Sequence, residues 1–196
     1  MLDELNKNLF LAINKLQFSH SAVKTIAVFF AEYVVFLFLL VLVVLWFYKR
    51  DEKIRQAVLI AGYCAVLGII LNFVISRIYY QPRPFVLKLG HLLVEHKADA
   101  SFPSDHTTFM LCIAAGLMFY SRAFLIGLFF FVFGLLSGFA RIVCGLHFPF
   151  DIIGSVIITF IVVFCIYFFK SWITKINEMI IGIWQNIENK ILKIFK

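Results

Sequence analysis

The sequence predicts an all-α integral membrane protein, a bundle of five transmembrane helices, or six, with an amphipathic interfacial helix at each end. Three observations carry that class. Of 196 residues, 63% are hydrophobic and 15% charged, whereas a soluble domain is roughly half apolar. Apolar runs near the ~20 residues that cross a bilayer recur along the chain. The runs also lack the in–out alternation of barrel strands, and only self-bonded helices or closed barrels cross lipid.

Taken in order, residues 1–20 hold LDELNKNLFLAINKL, where Leu2, Leu5, Leu9, Ile13 and Leu16 fall near helical spacing, as in a helix lying on the membrane. Residues 25–169 form the transmembrane core, with spans expected at Thr25 to Tyr48, Ala57 to Tyr80, Ser104 to Tyr120, Ala123 to Val143 and Pro149 to Phe169. Residues 171–196 read as an amphipathic cytoplasmic tail with Trp172, Ile176, Ile180, Trp184, Ile187 and Ile191 on one stripe. No internal repeat or composition break divides the chain, so residues 1–196 are expected to form a single domain. Residues 1–20 lack an apolar stretch followed by a small-residue cleavage site, so the first span is expected to serve as the insertion signal.

Net charge is +7, but no basic stripe with interleaved aromatics lies on a soluble segment, which argues against a nucleic-acid partner. The charge reads as topology signal. Lys49, Arg50, Lys53 and Arg55, then Arg122, then Lys170 through Lys196, fall on one side of a five-span chain. That places the tail in the cytoplasm and the N-terminus outside. Cys64, Cys112, Cys144 and Cys165 lie within or at the ends of apolar runs without a C-x-x-C pair and read as small buried hydrophobes.

With this topology, Arg77, Arg83, Ser104, His106, Arg141, His147 and Asp151 come from separated stretches and arrive at one membrane face. Arginines bind phosphate or carboxylate oxygens through paired N–H groups and stay charged. A helix beginning at Ser104 offers amides to an anion. Two histidines can act as nucleophile and general acid, and Asp151, four residues after His147, can hold one imidazole nitrogen protonated. Each residue alone has a plain reading: Ser104 a helix cap, Asp151 a first-turn acid, Arg77 and Arg83 headgroup contacts. The spacing P-R-P, P-S-D-H and R-x5-H-x3-D, in that order, favours a phosphate pocket with a histidine nucleophile.

These stretches, SRIYYQPRP, PSDH and ARIVCGLHFPFD, resemble the three-part signature of the type 2 phosphatidic acid phosphatase superfamily of membrane lipid phosphatases, K-x6-R-P, P-S-G-H and S-R-x5-H-x3-D. The resemblance implies that His147 attacks phosphorus and becomes phosphohistidine, with Asp151 orienting it. It implies that His106 protonates the leaving oxygen and then activates water, and that Arg83, Arg141 and Ser104 hold the phosphoryl oxygens without a metal or other cofactor. Three positions depart from the pattern: Ser76 stands where the lysine is expected, with Arg77 beside it to replace the charge, and Asp105 and Ala140 replace Gly and Ser. PRPF with SFPSDHTT is similar to bacterial undecaprenyl-diphosphatases of the bacitracin-resistance type, whose second motif carries Asp. That implies a polyprenyl diphosphate lipid substrate, carrier-lipid recycling, and a multi-pass inner-membrane protein with an extracytoplasmic site. The same mechanism would also suit phosphatidate or phosphatidylglycerol phosphate, and the arginine pocket would suit a non-catalytic polyprenyl-lipid transporter.

Asp105, Glu32 and Thr107 are candidate accessory residues. Glu32, inside the first span, pairs with an arginine or reaches the pocket, since a lipid-facing carboxylate is costly. His91, Glu95, His96 and Asp99 read as a solvated or substrate-gating loop in preference to a metal site, and Asn72 as interhelical hydrogen-bonding glue.

Overall fold

The structure is a computed structural model that describes residues 1–120 and 122–194; Lys196, counted above with the basic tail, lies outside the described residues. It is all helical, with no strand among the described residues. The helices are α1 Leu2–Asn14, α2 Ser21–Val28, α3 Val34–Phe47, α4 Glu52–Ile78, α5 Asp105–Leu117, α6 Phe124–Val143, α7 Pro149–Phe168 and α8 Lys170–Ile194. A π-helical turn, Phe29–Tyr33, joins α2 to α3, so that Ser21–Arg50 runs on as one apolar rod. Among the described residues, this rod, α4, α6 and α7 are the four helices long and apolar enough to cross a bilayer.

The third expected span is shorter in the structure than in the sequence reading. Ser104 to Tyr120 is helical only over the 13 residues of α5, about 20 Å at 1.5 Å per residue, against a hydrocarbon core of about 30 Å. Its apolar run looks like a span because α5 is enclosed on all sides. Met110, Leu111, Cys112, Ile113, Ala114 and Leu117 are fully buried, packed by α4, α6 and α7. Close packing against α4 depends on Gly116, where an added Cβ would lie 2.5 Å from the Ala61 Cα.

Polar groups collect at the two ends of the bundle. At one end Asp51 caps α4, accepting from the Lys53 and Ile54 amides at 2.9 and 3.1 Å, and pairs with Arg122. There Arg55, fully buried, and Arg50 both bind Glu188 of α8 at 2.8 and 3.0 Å. Residues 79–104, the 144–148 turn and α1 gather at the opposite end, where Asn14 and Gln17 bind the Val143 and His91 carbonyls.

Both terminal helices pack on the bundle by a face other than the aliphatic stripe. In α1 and the turn after it, Asn6, Phe10, Asn14 and Gln17 are buried, while Leu2, Leu5, Leu9 and Leu16 are exposed. In α8, Asn177 and Ile181 are buried, while Trp172, Ile176, Ile187 and Ile191 are exposed. Asn177 donates to Gln56 and accepts from the Tyr63 hydroxyl.

Candidate active site

The site forms where the C-terminal end of α6, the start of α7 and the outer connector meet. Gly145 turns the chain at φ +82° between α6 and α7, a conformation that costs a side chain but not glycine. Two residues later His147 enters the core, only 1% exposed. Pro149 opens α7, its missing N–H costing nothing in a first turn. Asp151, in the first turn of α7, then faces back to the His147 ring, which lies just ahead of the helix.

One nitrogen of the His147 ring is fixed by its surroundings. Nδ1 is 2.9 Å from the Ser101 carbonyl and 3.2 Å from Asp151 Oδ2. Both are acceptors, so Nδ1 carries the proton. Nε2 is therefore left with its lone pair, and Arg83 Nη1 donates to it at 3.0 Å. Burial first, and the positive charge of Arg141 and Arg83 next, holds the His147 pKa well below its ordinary value, which keeps the ring neutral. Asp151 is held in turn: its Oδ2 accepts from the Phe148 amide at 2.8 Å and from the Ser101 hydroxyl at 2.5 Å.

The arginines separate into two groups. Arg83 is nearly buried and spans the site, donating from Nε to Asp99 at 2.7 Å and from Nη1 to the Leu146 carbonyl at 3.0 Å. Arg141 is fully buried. The widened turn at Phe29–Tyr33 presents carbonyls sideways: Arg141 Nη1 donates to Ala31 at 2.9 Å and lies 3.4 Å from Glu32, and Ser137 donates to Phe30. Of the two roles open to Glu32, pairing with an arginine is the one the structure has. Arg141 Nε is buried and has no partner among the described residues, which leaves a donor for an incoming anion. Arg77, expected in the same cradle, is not in it. It is exposed, its guanidinium lies 4.9 Å over the Phe73 ring, and it lines a neighbouring pocket of about 390 Å³ with Ser76, Tyr80, Asp99 and Asp105.

The opening turn of α5 completes the site. Ser104 holds the cap position, but its hydroxyl makes no capping bond and instead meets the Thr107 hydroxyl at 3.0 Å. The first-turn amides of α5 thus have no side-chain cap. Thr107 is fully buried beneath them. His106 is half-buried, within the electrostatic reach of Arg141, His96 and Arg83. Asp105 turns toward α4, where Asn72 donates to its Oδ1 at 2.9 Å and also meets Thr108. Asn72 makes the interhelical bond expected of it, and Asp105 is anchored to it.

Sequence reasoning missed Ser101, which touches both His147 and Asp151 across 50 positions of chain, and the pairing of Asp99 with Arg83. It also missed that His96 reaches Arg141, its Nε2 3.4 Å from Nη2. Burial lowers the His96 pKa, with Arg83 and Arg141 adding to the effect. His91 lies apart, its ring against Phe18 and its backbone bound to Asn14.

A helical membrane bundle with a buried His–Asp pair and flanking arginines at one end has the make-up of a membrane phosphatase. The chain belongs to the PAP2 superfamily, whose family model matches residues 57–175. It is 37% identical to undecaprenyl-diphosphatase BcrC of Bacillus subtilis, over 96% of this chain and 96% of that protein. It is 29% identical to the bacitracin transport permease protein BcrC of Bacillus licheniformis, over 96% of this chain and 92% of that one. Among solved structures, LpxE of Aquifex aeolicus superimposes with a TM-score of 0.67 at 27% identity, covering 82% of this chain and 93% of its own.

Proposed function

We propose that this protein hydrolyses undecaprenyl diphosphate to undecaprenyl phosphate and inorganic phosphate, recycling the carrier lipid of cell-wall synthesis and so conferring bacitracin resistance. The observation that carries the chemistry is the oriented imidazole: a proton fixed on Nδ1 between Ser101 and Asp151, and a lone pair on Nε2 that faces Arg83. The near-full-length similarity to BcrC of Bacillus subtilis supports the choice of lipid.

In this reading Arg83 swings its Nη1 from Nε2 to a phosphoryl oxygen, and Arg141 and the uncapped amides of α5 take the others. Nε2 attacks the terminal phosphorus and the P–O anhydride bond breaks. The departing lipid phosphate takes a proton from His106. Water, deprotonated by His106, then attacks the phosphohistidine, releasing phosphate and restoring Nε2. The arginines supply the positive charge of the transition state, and no metal or cofactor takes part. Arg77, lining the neighbouring pocket, meets the part of the diphosphate that stays on the lipid.

The topology proposed with it has five crossings, α5 being the third, enclosed by its neighbours and completed by the turn after it. The whole chain is one domain of the inner membrane, with the site extracytoplasmic, α1 lying on the outer surface and α8 on the inner one by their exposed stripes. The similarity to the bacitracin transport permease protein of Bacillus licheniformis is the observation that favours a transport role. Transport has no use for an imidazole oriented by a buried carboxylate, so hydrolysis is the stronger reading.

Phosphate release by the purified protein from a panel of undecaprenyl diphosphate, phosphatidate and phosphatidylglycerol phosphate, with and without chelator, tests the proposal. The polyprenyl diphosphate should turn over fastest, unaffected by EDTA. His147→Ala should abolish release, and the wild type should give an acid-labile, base-stable phosphoenzyme. Faster turnover of phosphatidate overturns the substrate, and wild-type activity in His147→Ala overturns the nucleophile.

A further inference from the structure

Helix α1 lies outside the 57–175 segment that matches the superfamily, yet it binds both flanks of the turn that carries His147. On the α6 side, the Val143 carbonyl is one of the last in its helix and lacks a partner within it. Asn14 Nδ2 donates to it at 2.9 Å and Gln17 Nε2 approaches at 3.4 Å. On the α7 side, the Phe150 amide belongs to a first turn and is equally orphaned. Asn6 Oδ1 accepts from it at 3.0 Å. Between these polar contacts Phe10 packs edge-on against Phe148, centroids 5.3 Å apart.

The same helix fixes the outer connector. Asn14 donates to the His91 carbonyl at 2.9 Å and accepts from the His91 amide at 2.8 Å, and Leu93 donates to the Cys144 carbonyl at 3.0 Å. Two glycines with positive φ sit where this stack is tightest. A Cβ on Gly90 would lie 2.5 Å from Asn14 Oδ1, and one on Gly145 2.5 Å from the His91 carbonyl oxygen. The polar residues that make these contacts, Asn6 and Asn14 of α1 and Gln17 of the turn after it, are enclosed, each at most 4% exposed.

We propose that α1 is a positioning clamp for the His147 turn, acting through Asn6 as an acceptor and Asn14 as a donor. None of its residues touches the reacting atoms. It sets where the Nε2 lone pair stands relative to Arg83 and Arg141, so it governs the rate of the chemical step and not the binding of the lipid. The proposal rests on the reading of His147 as nucleophile.

The two contacts have opposite polarity, which makes them separable by one substitution. Aspartate at position 6 still accepts from Phe150 and puts a negative charge at a helix N-terminus, where it is favourable. Aspartate at position 14 has no donor and turns oxygen toward the Val143 and His91 carbonyls. In full-length protein, Asn6→Asp should keep kcat within about two-fold, while Asn6→Leu, Asn14→Ala and Asn14→Asp should lower it by at least about ten-fold with KM little changed, as small misplacement of a reacting group does. Lys7→Ala, on the exposed side of α1, should behave as wild type. Amide exchange across residues 144–150, followed by mass spectrometry, should quicken in the three impaired variants and in neither Asn6→Asp nor Lys7→Ala. Wild-type kcat in Asn6→Leu and Asn14→Asp overturns the clamp. So does an Asn6→Asp variant as damaged as Asn6→Leu, with KM and unfolding temperature moving in step. If the wild-type protein releases phosphate from no lipid, the hydrolase reading falls; unchanged exchange in Asn14→Asp would then overturn the clamp as well, and quickened exchange would uphold it.

Discussion

At the scale of single residues, the nucleophile's orientation depends on two groups that hold Asp151 and His147 together. The Ser101 hydroxyl gives Asp151 Oδ2 its shortest bond at 2.5 Å, and the Ser101 carbonyl faces Nδ1. Ser101→Ala removes the first and keeps the second. It should destabilise the fold by about 1.5–3 kcal/mol, the cost of a lost hydrogen bond to a charged group, and slow kcat only modestly. Asp151→Asn should cost far more activity, on the order of 10²–10⁴-fold, because an amide can turn N–H toward Nδ1 and force the wrong tautomer. Steady-state kcat and thermal unfolding of the purified variants check both. The neutral His147 also makes a pH prediction. Its folded pKa lies below the unfolded one, so in acid the unfolded chain takes up a proton that the folded site refuses. Stability is present above the ordinary histidine range and lost as pH falls through it, to about 6 and below. Unfolding temperature in detergent should fall between pH 7.5 and 5.5, and less so in His147→Gln. His147 and Asp151 were legible because their contact is local, made across four residues at the start of one helix. Ser101 was not, because its contact is made across 50 positions and no local pattern announces it. Arg77 lies beside the cluster around His147 and not within it, which span topology could not foresee because it gives depth and not direction. It lies five residues after Asn72, a turn of about 140° around α4: Asn72 meets α5, and Arg77 faces outward.

At the scale of the elements, the short α5 decides whether the site's amides and His106 reach the cluster around His147. Its packing on α4 is set by backbone proximity at Gly116, where the nearest atoms to an added Cβ are the Ala61 Cα and N at 2.5 and 2.8 Å. A backbone cannot yield as a side-chain tip can. Gly116→Val should therefore separate α4 from α5 at a cost of about 1–3 kcal/mol or more and reduce activity by displacing the start of α5. Gly62→Ala, with open space around it, should be neutral or slightly stabilising through helix propensity. Unfolding temperatures of the two variants, compared in the same detergent, test the contrast. Periodicity located every long helix but overstated the length of α5, since a fully enclosed helix and a lipid-facing one are apolar for different reasons and read alike. It did not tell which residues of α1 pack on the protein. The leucine stripe was legible; that Asn6, Asn14 and Gln17 would find orphaned backbone groups at the ends of α6 and α7 was not, because those partners exist only in the folded bundle.

At the scale of the whole molecule, the charge pattern and the packing divide the chain into the same two ends. Arg50 and Arg55 bind Glu188 at one; Asn14 and Gln17 bind the connector that carries His96 and Asp99 at the other. Since α1 sits beside the His147 turn, the N-terminus and the site share a face whichever way the protein inserts. What the positive-charge bias adds is direction: the Arg50 and Arg55 end carries the basic connectors and should be cytoplasmic. Single cysteines in place of exposed Glu4, Lys97, Lys53 and Lys190 test this in right-side-out vesicles with a membrane-impermeant maleimide. Background labelling is limited because Cys64, Cys112 and Cys144 are buried and Cys165 half-buried. Positions 4 and 97 should label in intact vesicles, positions 53 and 190 only after permeabilisation. A full exchange of the two pairs would keep five crossings but turn the site to the cytoplasm, where it would meet newly made lipid and not spent carrier. Labelling of 97 and 53 from the same side would mean that α4 does not cross, and the bundle would have to be redrawn with an even number of spans.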